Sequence, residues 1–292
     1  MTAVRAQSIR DRGEQLAAVL PPLLVAAERV AATVATGLHG RRRVGPGETF
    51  WQFRRYQPGD PVHGIDWRQS AKSDRVYVRE HEWQSAQSVW LWCDRSPSMA
   101  WRSSLHLATK GDRAAVLTVA LASLLVRGGE RIALLGGVER GGEERPAVGR
   151  SALLRLAESL ARPVALADGM VTLPDHAVVV LIGDFLTPLA EVDALVRRLA
   201  GAHVRGHLLQ VLDPAEETLP FSGRIRFAGP EDEGEVMIAR AEDVRAGYRA
   251  RLAAHREGLA AIARAAGWTF AVHRTDAAPE SALLALYTAL RG

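Results

Sequence analysis

The second half of the chain alternates between short segments that are apolar throughout and longer segments whose apolar residues recur at helical spacing. The apolar segments are SVWLWCD, RIALLGG, HAVVVLIGDF, RGHLLQVLD and WTFAVHRT. Amphipathic segments such as TPLAEVDALVRRLAGAH lie between them. Strands that are apolar throughout are covered on both faces, and helices between successive strands make those strands parallel. The pattern therefore predicts an α/β body with a mostly parallel sheet and helices on both faces.

The pattern changes twice along the chain and so predicts three regions. Residues 1–44 form an N-terminal helical segment, because apolar residues recur on one helical face between about positions 8 and 36. Residues 45–88 place aromatic and β-branched residues between turn signals, which predicts a small β-rich elaboration of short antiparallel strands. Residues 88–292 form the α/β domain, with a β-hairpin insertion near 222–240. In this domain Thr187 is predicted to cap a helix.

Composition narrows the class of protein. Of 292 residues, 48% are hydrophobic and 24% are charged, as in a globular domain. The 37 basic residues against 33 acidic ones form no basic face, so nucleic-acid binding is not expected. The single Cys93 excludes an intramolecular disulfide, and no apolar run reaches the roughly 18 to 20 residues that span a bilayer. A cytoplasmic protein without a membrane span is the expectation.

Acidic residues end two of the apolar strands. Asp94 follows SVWLWC, with Ser96 and Ser98 close behind it, and Asp184 follows HAVVVLIG. Ligands of open parallel sheets bind beyond the carboxyl ends of the strands, and the two acids converge there if their strands are neighbours. Carboxylate and hydroxyl oxygens suit a hard cation such as Mg²⁺. The pattern favours a metal site, and the open alternative is a turn whose serines cap a short helix.

Two motifs carry a resemblance to known families. DRSPSM at a strand end, with an acid ending a later strand, resembles the metal-ion-dependent adhesion site of von Willebrand factor A domains. The preceding segment is similar to the signature of the bacterial family catalogued as domain of unknown function 58. The matching positions are Gly45, Gly47, Phe50, Arg54, Tyr56, Pro58, Gly59, Asp60, Ile65, Asp66, Trp67, Ser70, Ala71 and Lys72. With VLDPAEETLPFSGRIRF, the resemblance covers roughly residues 35 to 290.

The resemblance implies a Rossmann-type, von Willebrand factor A-like fold and a non-enzymatic, protein-binding role. In such domains a partner's acidic side chain completes the coordination of the metal. Members of the bacterial family typically accompany MoxR-type AAA+ ATPases and are thought to be adaptors or assembly factors. Many relatives carry two N-terminal membrane helices that this sequence lacks, so a soluble partner is expected.

The resemblance also implies a ligand set. Asp94, Ser96 and Ser98 would surround Mg²⁺ or Mn²⁺, and Asp184 would hold a bound water. The adhesion site adds a threonine from a middle loop, and this chain has no convincing equivalent. Thr172 is the nearest candidate and Asp168 a substitute, both in RPVALADGMVTLPDH. Mg²⁺ or Mn²⁺ is the expected cofactor, and without the threonine its binding would be weak or absent.

An enzymatic alternative uses the same acids. In a Mg²⁺-dependent phosphohydrolase of the haloacid dehalogenase kind, Asp94 would be the nucleophile and Asp184 a metal ligand. That chemistry needs a general acid two residues after the nucleophile, to protonate the leaving group. This chain has Ser96 there, so the binding role is the favoured prediction.

The signature segment holds further candidate residues. Arg54, Tyr56, Asp60 and Asp66 are predicted to be structural, because an acid after Pro-Gly commonly forms a turn and an arginine can pair with it. Trp51 and Trp67 are candidates for an exposed partner-binding surface, since aromatic residues are enriched among interface anchors.

Overall fold

The computed structural model describes residues 50–57, 60, 65–72, 74–81, 87–136, 145–160, 173–174, 177–229 and 234–291, with helical positions between 25 and 34. The chain divides into two compact units. Residues 38–86 form the smaller unit, which holds the signature segment. Residues 1–37 and 87–292 form the larger unit, which holds the apolar strands.

The smaller unit combines a strand pair with one turn of helix. Strands β1 (Phe50–Arg55) and β2 (Tyr77–His81) are antiparallel, and α1 (Trp67–Ser70) lies between them in sequence. The sequence predicts short antiparallel strands in this segment, and the one-turn helix was not identified from it. It forms because a side-chain oxygen of Asp66 accepts a hydrogen bond from the amide of Gln69 at 2.8 Å, which satisfies a free helix-start donor.

The larger unit is built on a five-stranded sheet whose neighbouring strands all run parallel. Its first four strands along the chain are β3 (Ser88–Cys93), β4 (Arg131–Leu134), β5 (Val178–Gly183) and β6 (Arg205–Leu212). An antiparallel hairpin, β7 (Ile225–Ala228) and β8 (Glu235–Ile238), precedes the last sheet strand, β9 (Thr269–Arg274). The spatial order is β4-β3-β5-β6-β9, which confirms the predicted mostly parallel α/β architecture.

Helices connect the strands. They are α2 (Lys110–Arg127), α3 (Gly149–Leu160), α4 (Leu189–Gly201), α5 (Pro214–Thr218), α6 (Ala241–Ala265) and α7 (Pro279–Arg291), with a 3₁₀ helix at Pro97–Ala100. In the described part of the chain, none is both long and apolar enough to cross a membrane.

The predicted start of α4 is wrong by one residue. Pro188, not Thr187, is the N-cap. Its ψ of 135° lies outside the helical range, and its carbonyl accepts hydrogen bonds from the amides of Glu191 and Val192. The residue before the first helical position is therefore a proline, whose side chain has no polar group that could cap the helix.

The sheet is covered on both faces. On one face, Leu181 and Leu208 pack in a buried cluster with Val196 of α4 and Leu259 of α6. The opposite face packs against α2 and α7. Every residue of β5 is buried, which explains why that segment reads as one continuous apolar run.

Two buried histidines lie in this core. His207 of β6 is 7% exposed and its Nδ1 lies 2.8 Å from the hydroxyl of Thr269, while His273 of β9 is 3% exposed. Burial disfavours the charged imidazolium, and the nearby cations Arg205 and Arg113 act in the same direction. Together they lower the pKa of each histidine from its ordinary 6.5 to about 4.

We expect these histidines to make the protein less stable in weak acid. Between pH 6.5 and 4 the unfolded chain binds protons that the folded chain excludes, so the free energy of unfolding falls as the pH falls. Allowing for solvent screening, each histidine contributes about 1 to 2 kcal/mol between pH 7.5 and 5. Urea unfolding of wild type and His273→Gln at both pH values measures this, and the variant should lose less stability. The exposed His106→Gln is the matched control, and equal losses in all three proteins would contradict the assignment.

Candidate functional site

The carboxyl ends of β3 and β5 lie side by side at one edge of the sheet. Cys93 is paired with Ile182, and the amide of Asp94 donates a hydrogen bond to the carbonyl of Ile182 at 2.8 Å. Asp94 and Asp184 each follow the last residues of these strands. The two strands are therefore the neighbours that convergence of the two acids requires.

Gly183 allows the two strand ends to approach closely. A Cβ atom at this position would lie 2.8 Å from the Cβ of Asp94 and 3.1 Å from its Oδ2. It would also lie 3.2 Å from the ring of Trp92. Real Cβ atoms do not tolerate such a contact, so the Gly-Asp pair that ends β5 has a steric reason.

Asp94, Ser96, Ser98 and Asp184 form a connected polar cluster. The Ser98 hydroxyl donates to Oδ2 of Asp184 at 2.7 Å, and the hydroxyls of Ser96 and Ser98 are 3.0 Å apart. Oδ1 of Asp94 accepts from the amide of Ser96 at 2.9 Å. Asp184 is buried, whereas the other three side chains are partly exposed, so the cluster opens to solvent on the side of Asp94 and the serines.

Ser96 occupies the N-cap position of the 3₁₀ helix, yet its side chain makes no capping hydrogen bond. Its hydroxyl lies beside Ser98 instead. The next turn is held in place by Met99, which is buried. The position thus matches the helix-capping alternative, whereas the side chain belongs to the polar cluster.

Lys110 joins the cluster from the first turn of α2, and the sequence analysis did not identify it as a site residue. Its Nζ donates to Oδ2 of Asp184 at 2.9 Å and to Oε1 of Glu216 at 2.6 Å, and the side chain is 1% exposed. Burial acts to lower the pKa of Lys110, but the charges of Asp184 and Glu216 outweigh it, so the pKa is raised. Lys110 is therefore a buried ammonium ion. One signal was available, because Lys110 and Lys72 are the only lysines in the chain.

Glu216 has two roles at the start of α5. Its Oε2 accepts from the amide of Asp213 at 2.9 Å, and an Asp213 oxygen accepts from the amide of Ala215 at 2.8 Å. The other Asp213 oxygen accepts from the amide of Ser103 at 3.0 Å, which ties the loop after the 3₁₀ helix to the end of β6. The sequence Asp-Pro-Ala-Glu after an apolar strand is a capping-box signal that could have identified this arrangement.

A strained turn orients Asp184. The next residue, Phe185, has a φ of 48°, which is uncommon for a bulky side chain. The carbonyl of Asp184 accepts from the side-chain amide of Gln210 at 2.8 Å, and the carbonyl of Phe185 accepts from Nε2 of His255 at 2.6 Å. Backbone strain persists only where the surroundings hold it, and Gln210 and His255 are the groups that hold it here.

Two predicted ligands, Thr172 and Asp168, lie outside the described residues. The middle-loop ligand of the adhesion-site prediction is therefore not located by this structure.

The residues of the smaller unit form their own contacts. Arg54 donates two hydrogen bonds to Asp60, at 2.9 and 3.0 Å, and this arginine lowers the pKa of the Asp60 carboxyl. The amide of Tyr56 donates to the carbonyl of Val76 at 2.9 Å. Trp67 is 65% exposed. Trp51 lies in β1, and its side chain is outside the description.

The donor set of the cluster fits a hard divalent cation. It offers carboxylate and hydroxyl oxygens, which Mg²⁺ and Mn²⁺ prefer. A hydroxyl that donates its hydrogen to a carboxylate, as Ser98 does to Asp184, keeps oxygen lone pairs for another partner. The formal charges of Asp94, Asp184, Glu216 and Lys110 sum to −2, which a divalent ion would offset. In the described ranges no three His, Cys, Asp or Glu residues are grouped to hold a metal, so any ion here would depend on the serines.

Comparison with known proteins gives one family and several similar chains. The model of the family described as protein of unknown function DUF58 matches residues 52–258. The uncharacterized proteins Mb1516 of Mycobacterium bovis and Rv1480 of Mycobacterium tuberculosis are each 27% identical to this chain over 275 residues. These alignments cover 90% of this chain and 86% of each relative.

Two solved structures are similar at low identity. One is the conserved hypothetical protein BatB from Bacteroides thetaiotaomicron, with 15% identity, a TM-score of 0.39 and coverage of 70% of this chain and 98% of that one. The other is an uncharacterized membrane spanning protein from Vibrio fischeri, with 16% identity, a TM-score of 0.19 and coverage of 70% and 97%.

We expect Gly183→Ala to disturb the cluster through Asp94. The added methyl group must displace Asp94 or Trp92, and overpacking of this kind costs about 1 to 3 kcal/mol. Denaturant unfolding measures the loss. Gly247→Ala is the matched control, because a Cβ there meets nothing within 4 Å and the residue lies inside α6. That control should be stabilised by up to about 1 kcal/mol, and a Gly183→Ala protein as stable as wild type would contradict the close contact.

Proposed function

We propose that this chain, which belongs to the DUF58 family of proteins of unknown function, is a non-enzymatic protein-binding module with a metal-ion-dependent adhesion-type site. The observation that carries the proposal is the hydrogen-bonded cluster of Asp94, Ser96, Ser98 and Asp184 at the edge of the sheet. It gathers oxygen donors from two strand ends and is open on one side. A module of this kind binds a partner protein when an exposed acidic side chain of that partner coordinates the metal.

Each residue of the cluster has a defined role in this proposal. The direct ligands of Mg²⁺ or Mn²⁺ would be the partly exposed side chains of Asp94, Ser96 and Ser98. The buried Asp184 would accept a hydrogen bond from a bound water and already fixes the Ser98 hydroxyl. When bound, the ion supplies an open coordination position that a carboxylate of the partner can fill. Gln210 and His255 act as positioning residues, since they hold the turn that carries Asp184.

No particular contact favours the phosphohydrolase alternative. In either chemistry Asp94 and Asp184 would share an ion, but the phosphohydrolase also needs a general acid two residues after Asp94. The hydroxyl of Ser96 is there, and its pairing with Ser98 gives it no acidic character. A binding role therefore uses more of the cluster than a hydrolytic role does.

The partner is proposed from the family resemblance. A MoxR-type AAA+ ATPase system is the implied context, with this chain as an adaptor in assembly or maturation of a protein complex in the cytoplasm. The site then needs an acidic side chain on the ATPase or on its client. The exposed Trp67 of the signature segment is a second candidate contact for that partner.

We expect the chain to bind one Mn²⁺ through Asp94. Calorimetric titration and electron paramagnetic resonance should detect saturable binding by wild type, and Asp94→Ala should weaken it by at least about 100-fold, because it removes a direct ligand. Asp243→Ala is the control, since it removes an equally charged but exposed carboxylate from α6. Circular dichroism checks that each variant is folded. Equal affinity for Mn²⁺ in wild type and Asp94→Ala would mean that any ion binds elsewhere, which would contradict the proposed site.

We further expect metal-dependent association with the MoxR-type ATPase of the same organism. Size-exclusion chromatography of the two purified proteins should give a complex in Mg²⁺ that dissociates in EDTA and fails to form with Asp94→Ala. Trp67→Ala would test the second contact. A complex that is unchanged by EDTA and by Asp94→Ala would contradict the metal-dependent mode of binding, and absence of any complex would contradict this choice of partner.

A further inference from the structure

We infer that the ammonium group of Lys110 is a permanent positive charge within the site. It stabilises the carboxylates when no metal is bound, and it weakens the affinity of the site for a divalent ion. The inference rests on the proposed function for the identity of the site. It assigns a role in setting metal affinity to a residue outside the predicted ligand set. It also gives a physical cause for weak metal binding that differs from a missing threonine.

The first argument is the sharing of one oxygen atom. Oδ2 of Asp184 accepts hydrogen bonds from both Lys110 Nζ and the Ser98 hydroxyl, at 2.9 and 2.7 Å. Oδ1 accepts only a long hydrogen bond, at 3.3 Å, from the amide of Leu186 among the contacts described. A water on a bound ion would therefore compete with Lys110 and Ser98 for Oδ2, or use Oδ1.

The second argument is charge. Without Lys110, three carboxylates, those of Asp94, Asp184 and Glu216, would contribute a formal charge of −3, and Lys110 reduces it to −2. A buried carboxylate without a counter-ion is costly, so the ammonium stabilises the folded state before any ion binds. The same positive charge repels a divalent cation at the serine side of the cluster, and the repulsion is strong because Lys110 and Asp184 are shielded from water.

The third argument is that the Lys110 side chain is held in the site by the packing of the first turn of α2. Its backbone amide donates to the carbonyl of Trp101 at 3.4 Å, and the hydroxyl of Thr109 caps the helix by accepting from the amide of Asp112 at 2.9 Å. At Gly111 a Cβ atom would lie 3.2 Å from the carbonyl oxygen of Met99, so the first turn of α2 is packed tightly on the 3₁₀ helix. A side chain that is 1% exposed on such a turn stays in place when an ion arrives.

A set of charge variants tests the inference with Mn²⁺ as the probe. Lys110→Met keeps most of the length of the side chain without the ammonium group. It brings the summed formal charge of Asp94, Asp184, Glu216 and position 110 to −3, whereas Glu216→Gln brings this sum to −1. The double variant Lys110→Met/Glu216→Gln has the charge of wild type but frees Oδ2 of Asp184. Lys72→Met is the matched control, because Lys72 is the other lysine of the chain and is exposed.

Two readouts are measured for each protein: Mn²⁺ affinity by paramagnetic resonance, and the urea midpoint with and without Mn²⁺. We expect Lys110→Met to bind Mn²⁺ at least about tenfold more tightly than wild type, and Glu216→Gln to bind more weakly. Without metal, Lys110→Met should unfold at lower urea, and Mn²⁺ should raise its midpoint more than that of wild type. Lys72→Met should match wild type in both readouts.

The outcomes separate this inference from the proposed function. If Asp94→Ala abolishes binding but Lys110→Met binds no more tightly than wild type, the site is real and the role of Lys110 is wrong. If wild type binds no ion and Lys110→Met does, the inference is supported in its strongest form. If Lys110→Met does not fold, the double variant decides: binding tighter than wild type supports competition for Oδ2, and equal or weaker binding overturns it. If no variant binds Mn²⁺, both proposals fail together.

Discussion

The parallel pairing of β3 with β5 is the constraint on which the candidate site depends. Cys93 pairs with Ile182, which places Asp94 beside Gly183, the last residue of β5, and one residue before the level of Asp184. The hydrogen bond from the Asp94 amide to the Ile182 carbonyl extends this pairing into the loop. The absence of a side chain at Gly183 lets Asp94 lie against β5.

The buried ammonium of Lys110 resolves the electrostatic problem that this convergence creates. Asp184 lies in the turn directly after β5 and Glu216 lies in α5, and both are largely removed from water. Paired with Lys110, they also join α2 to both elements at the carboxyl edge of the sheet. Buried ion pairs add little net stability compared with apolar packing, but loss of one partner is costly. The main effect of the contacts of Lys110 with the two acids is therefore to hold the site in one arrangement.

Several further polar contacts near the site hold backbone atoms in place. Gln210 of β6 and His255 of α6 each bind a carbonyl of the turn at Phe185, where φ is positive. Asp213 holds the loop after the 3₁₀ helix through the amide of Ser103. Side chains from several elements thus determine the position of Asp184 and of the serine loop. Such preorganisation is what a binding site for a small, strongly hydrated cation requires.

Local sequence patterns were enough to predict the α/β architecture and the two acidic strand ends, because apolar runs and helical periodicity report burial directly. Asp94 and Asp184 could be identified since each interrupts such a run. The short helix after Asp66 and the start of α4 at Pro188 were missed, since capping depends on individual backbone angles. That Lys110 belongs to the site could be seen only in the folded chain. Its partners are 74 and 106 residues away in the chain, and no local pattern reports which charges a fold brings together in its interior.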